Sequence, residues 1–333
     1  MLILSERTFD KYYEANGAIN PVLKALTRKH CIQSTGCAYL RSIVEANSQH
    51  HYQNEWMLAK SLLMRDCLRR AAIQVNKLVP WELKWENSKL DPSKWQKIDK
   101  DFVFVVRTND SSGAISSILT EENKKLGSRR KNKLECKNLA QLMALYALLL
   151  ATGKMFNRLV GRQLAKGKLH RLTIPINPEL LQTEVLDMKF DPQLPHIPIN
   201  YNGDNVFRPG DMVQFYFDGK IDKTGDRKTD DRRKGWRVEN AICVGWQETS
   251  RGPKYEEPLF VGGGVAGVVT EAQMKWIQYE NLGKPKGYGS DNDIKRCFEL
   301  KELGPQATKC ILIELNSNVT RINVFGGRKD LPP

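Results

Sequence analysis

A cysteine with a glutamate immediately before it carries the chain's clearest capacity for chemistry. Glu135-Cys136 lies inside Asn132–Gly153, NKLECKNLAQLMALYALLLATG. Leu139, Leu142, Met143, Tyr146, Leu149 and Leu150 follow at spacings of three and four, which predicts a buried helix. Asn132 is the expected N-cap and Gly153 the expected stop. Cys136 then falls in the first turn, where exposed N–H groups and the helix dipole favour a thiolate. Lys131, Lys133 and Lys137 push the same way. This is how a cysteine nucleophile is mounted for acyl transfer. The competing reading is a small buried side chain chosen for packing.

The second candidate is Glu239, in the strand Trp236–Gly245 (WRVENAICVG). Alternation places Trp236, Val238, Ile242 and Val244 on one face and Arg237, Glu239, Ala241 and Cys243 on the other. A glutamate in mid-strand is against the usual composition of strands. If that face is covered, the carboxylate needs a partner or a raised pKa. If it is open, Glu239 is an ordinary surface residue.

The elements that must position these groups can be read in order. Residues 1–80 are mostly helical. Asn20-Pro21 opens one helix, and a second pattern over Tyr39–Val79 breaks near Gln49–Asn54. Leu58, Leu62, Leu63, Leu68, Ala72, Ile73 and Val75 form its expected buried stripe. Trp81, Trp85 and Trp95 sit in a charged, proline-containing segment and are expected to clamp a loop onto the core. Phe102–Arg107 is a strand, Asp110–Gly113 a turn, and Ala114–Leu119 its returning partner. Glu121–Lys133 is a basic linker that could form an electropositive collar around Cys136. Lys154–Leu169 reads as a further helical piece, and Arg171–Gly210 as irregular chain wrapping a surface.

Asp211–Phe217 is a strand, Asp218–Gly235 a loop of mixed charge, and Lys309–Val324 supplies the last strands. Gly262, Gly264 and Gly267 satisfy GxGxxG, but no second strand with a terminal acid follows. A glycine-turned hairpin, LFV-GGG-VAGVV, explains them better. The order gives an α+β fold, an antiparallel sheet packed on a buried central helix.

Composition narrows the function classes. The 333 residues can bury a large core, and 41% hydrophobic with 27% charged content is that of a globular protein. A net charge of +14 favours acidic partners. Seven cysteines at irregular spacing do not read as a disulfide framework. His30-Cys31 with Cys37 lacks a second ligand pair for zinc, and the aspartates of 218–235 lack the calcium-loop order. No signal peptide and no membrane-spanning run are expected.

Several stretches together resemble the bacterial spore-coat protein-glutamine γ-glutamyltransferases, a compact family with an NlpC/P60-like, papain-like core. They are INPVLKAL at 19–26, LECKNLAQLMALYALLL at 134–150, RPGDMVQF at 208–215, GWRVENAICVG at 235–245 and TRINV at 320–324. The resemblance implies a single domain over 1–333. Its N-terminal part, 1–80, would be helical, its catalytic core would span 81–333, and loop insertions would fall at 81–101 and 218–234. It implies Cys136 as nucleophile, Glu239 as principal carboxylate partner and Glu135 as the neighbour that can partly substitute. Trp236 and Asn240 would bind substrate, Trp236 as a lining of the substrate tunnel. The chain departs from the family by carrying Gly262 where a hairpin histidine stands and Gln214 near a core aromatic.

No cofactor is implied, and activity would be independent of calcium. The partners would be proteins with accessible glutamine and lysine, acidic ones among them. The setting would be cytoplasm or spore coat, or that of a bacterial effector secreted without a signal. Two readings compete. A glutamine deamidase or papain-like amidase or peptidase would use the same Cys-Glu site. A non-enzymatic nucleic-acid-binding protein would rest on charge and clustered tryptophans, although no nucleic-acid motif occurs.

Overall fold

The computed structural model describes residues 55–82, 85–98, 100, 103–107, 109–120, 132–157, 173–174, 186–190, 207, 210–217, 225–249, 252–283 and 306–315. The expected helix at Asn20-Pro21, the His30–Cys37 group, the collar at 121–131 and the TRINV strand lie outside them.

Helix α1 spans Glu55–Leu78, and the anticipated break at Gln49–Asn54 lies outside the described residues. Met64, Cys67, Leu68, Ala71, Ala72 and Val75 are fully buried along it. Ile73 is 40% exposed and leaves the predicted stripe, because it lies a third of a turn beyond Ala72. Two short segments follow, β1 (Trp81–Glu82) and β2 (Trp95–Ile98), with a 3₁₀ turn at Trp85–Asn87 between them. Strand β3, Val103–Val106, pairs antiparallel with β2 and also with β5 at Thr173–Ile174. Within 81–98 the chain forms these short paired segments, and Trp95 is buried in the core.

The segment expected to return as a hairpin strand is instead helix α2, Ser111–Ile118. The Asp110 side chain accepts from Gly113 N–H and caps it. Capping by Asp110 favours the helix, and Ala114, Ile115 and Ile118 then share one buried face.

Strand β4, Leu134–Glu135, runs straight into α3, Cys136–Thr152, which stops at Gly153 with φ of 52° as expected. The helix packs chiefly against α1. Beyond it lies a six-stranded antiparallel sheet. Its strands are β6 (Leu186–Phe190), β7 (Met212–Tyr216), β8 (Val238–Thr249), β9 (Gly252–Gly262), β10 (Val269–Thr270) and β11 (Gln306–Leu315), in the order β10-β9-β8-β7-β11-β6. The stretch expected to be irregular thus contributes edge strand β6. Part of the mixed-charge loop is helix α4, Arg227–Gly235, whose first amides are capped by Asp226. Helix α5, Glu271–Leu282, follows β10 through a capping box on Thr270.

The sheet is covered on both faces. Met212, Ile242, Val244 and Val261 join α1, α2 and α3 in one core. Val213, Phe215, Ala241, Cys243 and Phe260 join Met274 and Leu282 of α5 in the other. The expected α+β arrangement is present. Strands β9 and β10 are antiparallel, so the glycine-rich stretch between them is a hairpin and not a dinucleotide turn. Among the described residues no helix is long and apolar enough to cross a membrane.

Candidate active site at the mouth of the central helix

Glu135 and Cys136 are placed by backbone pairing from the segment before β2. Strand β1 pairs in parallel with β4, Trp81 beside Leu134 and Glu82 beside Glu135. Leu134 N–H donates to Pro80 O at 3.1 Å, and Glu135 N–H donates to Ser88 Oγ at 2.9 Å. Lys89 and Lys133 bridge their backbones alongside. These contacts hold 133–135 extended, so α3 begins at Cys136 with Glu135 as its N-cap. Asn132, the expected cap, instead accepts from Asp91 N–H at 2.9 Å and serves the preceding loop.

The thiol of Cys136 donates to Glu135 Oε1 at 3.1 Å, while Glu135 Oε2 accepts Lys137 N–H at 2.8 Å. One carboxylate therefore accepts hydrogen bonds from both the thiol and a free amide of the helix start. This overturns the expected electrostatics of Cys136. Burial first, then the Glu135 and Glu239 carboxylates, push its pKa well above that of a free thiol. Lys137 opposes this weakly. Lys133 is engaged in an ion pair with Glu82. A resting thiol, rather than a thiolate, occupies the helix mouth.

Glu239 lies on the face shared by Ala241 and Cys243, as alternation requires, and that face is covered. Glu239 is 2% exposed. It gains both of the things a covered acid needs. Gly264 N–H donates to its Oε1 at 2.8 Å, and its pKa is raised to about 8. Burial is the main cause; the Gly264 amide pulls down and the Glu135 charge pushes up.

The cover is the glycine hairpin after β9. A Cβ built on Gly262 would stand 2.6 Å from Glu239 Oε1, and one on Gly263 would stand 2.6 Å from the Cys136 carbonyl oxygen. One turn of chain thus touches both the strand carboxylate and the cysteine's backbone. Glycine is required for that closeness. The hairpin thereby brings Glu239 to the helix start that carries Glu135 and Cys136, and the Glu135 and Glu239 charges act on one another and on the thiol.

Two supports of the pocket were not anticipated. Asn76 of α1 pins the hairpin, its Nδ2 donating to Gly262 O at 2.8 Å and Val265 O at 2.6 Å, and its Oδ1 accepting from Gly267 N–H at 2.8 Å. Trp81 packs against both cores, with its ring 5.1 Å from that of Trp236. Only its aromatic type, in an unpromising charged segment, hinted at this.

Trp236 is in the turn after α4 rather than in β8, so its ring joins Ala241 and Cys243 instead of Ile242 and Val244. That corrects the predicted facing and brings Trp236 to the Glu239 side. Asn240 does not follow. It is one residue from Glu239 along an extended strand, its side chain accepts from Gln214 Nε2 at 3.3 Å, and it is buried. Its backbone carbonyl, which accepts from Gly263 N–H at 3.2 Å, is what serves the site. Gln214 is therefore the side-chain partner of Asn240.

No protein-family profile matches the chain. No curated protein matches it either. Among solved structures, it is similar to a transglutaminase from Geobacillus stearothermophilus without its C-terminal extension. The two are 16% identical with a TM-score of 0.48, and the match covers 81% of this chain and 95% of that one.

Proposed function

We propose that this protein is a protein-glutamine γ-glutamyltransferase, joining a glutamine side chain to a lysine or another primary amine. The observation that carries the reading is a buried thiol hydrogen-bonded to one carboxylate while a second carboxylate, raised to about 8, shares its pocket. Two acids with different environments divide acid and base work between them. A carboxamide is a poor acyl donor, so its nitrogen must leave protonated.

Glu135 accepts the Cys136 proton as sulfur attacks the carboxamide carbon, so no standing thiolate is needed. Glu239, still protonated at neutral pH, gives its proton to the departing nitrogen as the C–N bond breaks. Ammonia leaves, and a thioester remains on Cys136. An amine then attacks the thioester carbon, losing its proton to ionised Glu239 while sulfur regains one from Glu135. The isopeptide bond closes the cycle. Water in place of the amine would give glutamate. The burial of Cys136 and Glu239 under the hairpin, with the tilted Trp81 and Trp236 rings packed against one another nearby, restricts that competitor.

The test offers a glutaminyl peptide together with a fluorescent primary amine. Amine incorporation that disappears in Cys136→Ala supports transfer. Ammonia release without incorporation makes the protein a deamidase or amidase at the same site. Salt-sensitive nucleic-acid binding that survives Cys136→Ala, with neither product, would replace the enzyme reading altogether.

A further inference from the structure

The Trp81 indole has a polar end that its packing does not explain. Trp81 Nε1 and Trp236 Nε1 are both buried, and neither has a hydrogen-bond acceptor among the described residues. Buried indole N–H groups normally find a partner. Two such donors side by side, at the same pocket, call for an acceptor that arrives with a ligand.

The place of Trp81 Nε1 is defined from two directions. It lies 3.3 Å from the point where a Gly264 Cβ would stand, and Glu239 Oε2 lies 2.9 Å from that same point. On the backbone side, β1 is locked in parallel register to β4, which leads into Cys136. The donor is thereby placed near the acid, on a segment paired to the backbone that leads into Cys136, before any substrate binds. Such preorganisation is what makes a hydrogen-bond donor effective toward charge that develops during a reaction.

We propose that Trp81 contacts the substrate directly, its indole N–H donating to the carboxamide oxygen of the glutamine acyl donor. This rests on the glutaminyl-transfer reading above. As sulfur bonds to the carbon, the C=O π pair moves onto oxygen, and Trp81 holds that oxyanion. When the pair returns, the C–N bond breaks and nitrogen leaves with the proton of Glu239. Trp236, with its own free N–H, is the neighbouring donor. A phenylalanine would satisfy the packing role at residue 81 without burying an unused N–H.

The experiment replaces Trp81 with phenylalanine and, separately, with β-(3-benzothienyl)alanine, which keeps the bicyclic shape and exchanges N–H for sulfur. Each protein is assayed for kcat and KM with a glutaminyl peptide, for melting temperature, and for the rate of Cys136 alkylation by iodoacetamide. Alkylation forms no oxyanion, so it reports whether the thiol itself is undisturbed. Both variants are expected to lose about a hundredfold in kcat, with alkylation and melting temperature unchanged. Wild-type kcat in the benzothienyl variant overturns the proposal while leaving the transferase standing. A wild-type protein that releases no ammonia and incorporates no amine overturns both.

Discussion

Glu135 and Glu239 are the same residue type in the same pocket, yet the chain mounts them in opposite ways. Glu135 belongs to the cysteine's own segment and is held by the helix start, its oxygens shared between a thiol and an amide. Glu239 comes from a distant strand and is closed in by a glycine hairpin, with Gly264 N–H as its main donor. Burial raises the pKa of both. The Cys136 and Lys137 hydrogen bonds restrain Glu135, whereas Glu239 reaches about 8. Under the proposed transfer, position within the fold, not residue identity, makes one the acceptor of a proton and the other its donor.

The largest expected effect tests the group on which both acids act. Cys136→Ala should lower amine incorporation by roughly a thousandfold or more, with the melting temperature little changed. Residual activity near wild type would dissolve the comparison between the two acids. Glu239→Gln should cost about 10²- to 10⁴-fold in kcat, because it removes the acid that the proposed transfer assigns to the leaving nitrogen.

Glu135→Gln should cost less, since its amide oxygen can still accept the thiol and Glu239, once ionised, can act as base. Its signature is in the pH profile. Wild-type activity should fall as pH rises through about 8, as the Glu239 proton is lost. The Glu135→Gln enzyme should instead gain activity over that range. A wild-type rate that climbs through this region would reverse the assignment, making Glu239 the base. Apparent values will belong to the coupled pair rather than to either residue.

The smallest effect concerns stability. The usual carboxyl value for Glu239 is 4.5, and folding raises it to about 8. Between these values the folded protein holds a proton that the unfolded chain has lost. The stabilisation from Glu239 is therefore complete below about 4.5 and disappears as pH passes through about 8. Denaturant titrations should show Glu239→Gln losing this part of the pH dependence. An unchanged slope would mean that the carboxylate is solvated in the native state.

Much of the pocket was legible because it follows local periodicity. Helical spacing located α3 and its Gly153 stop, and strand alternation put Glu239 on the Ala241–Cys243 face. What was not legible depends on pairing between segments far apart in the chain. Nothing near Asn132 reveals that its side chain is already engaged by Asp91, so the cap moved to Glu135. The thiol's high pKa comes first from burial and then from the carboxylates that this packing sets beside it, and lysine counting alone gave the opposite sign. The placement of Trp81 was not legible because it arises from a two-residue parallel ladder with 134–135. Asp110 followed by serines and glycine suits a turn as well as a helix cap, and only packing of Ala114, Ile115 and Ile118 decides.

The approach of Gly263 to Cys136 has a consequence for how the pocket is held together. The contact a methyl group would make there is with main-chain atoms, the Cys136 carbonyl oxygen at 2.6 Å and its Cα at 2.9 Å. Main chain at a helix start cannot rotate aside as a side-chain tip can. The hairpin is seated against the start of α3 while Asn76 ties it to α1. An added methyl at residue 263 would push it off the helix start, and with it the Gly264 amide that holds Glu239.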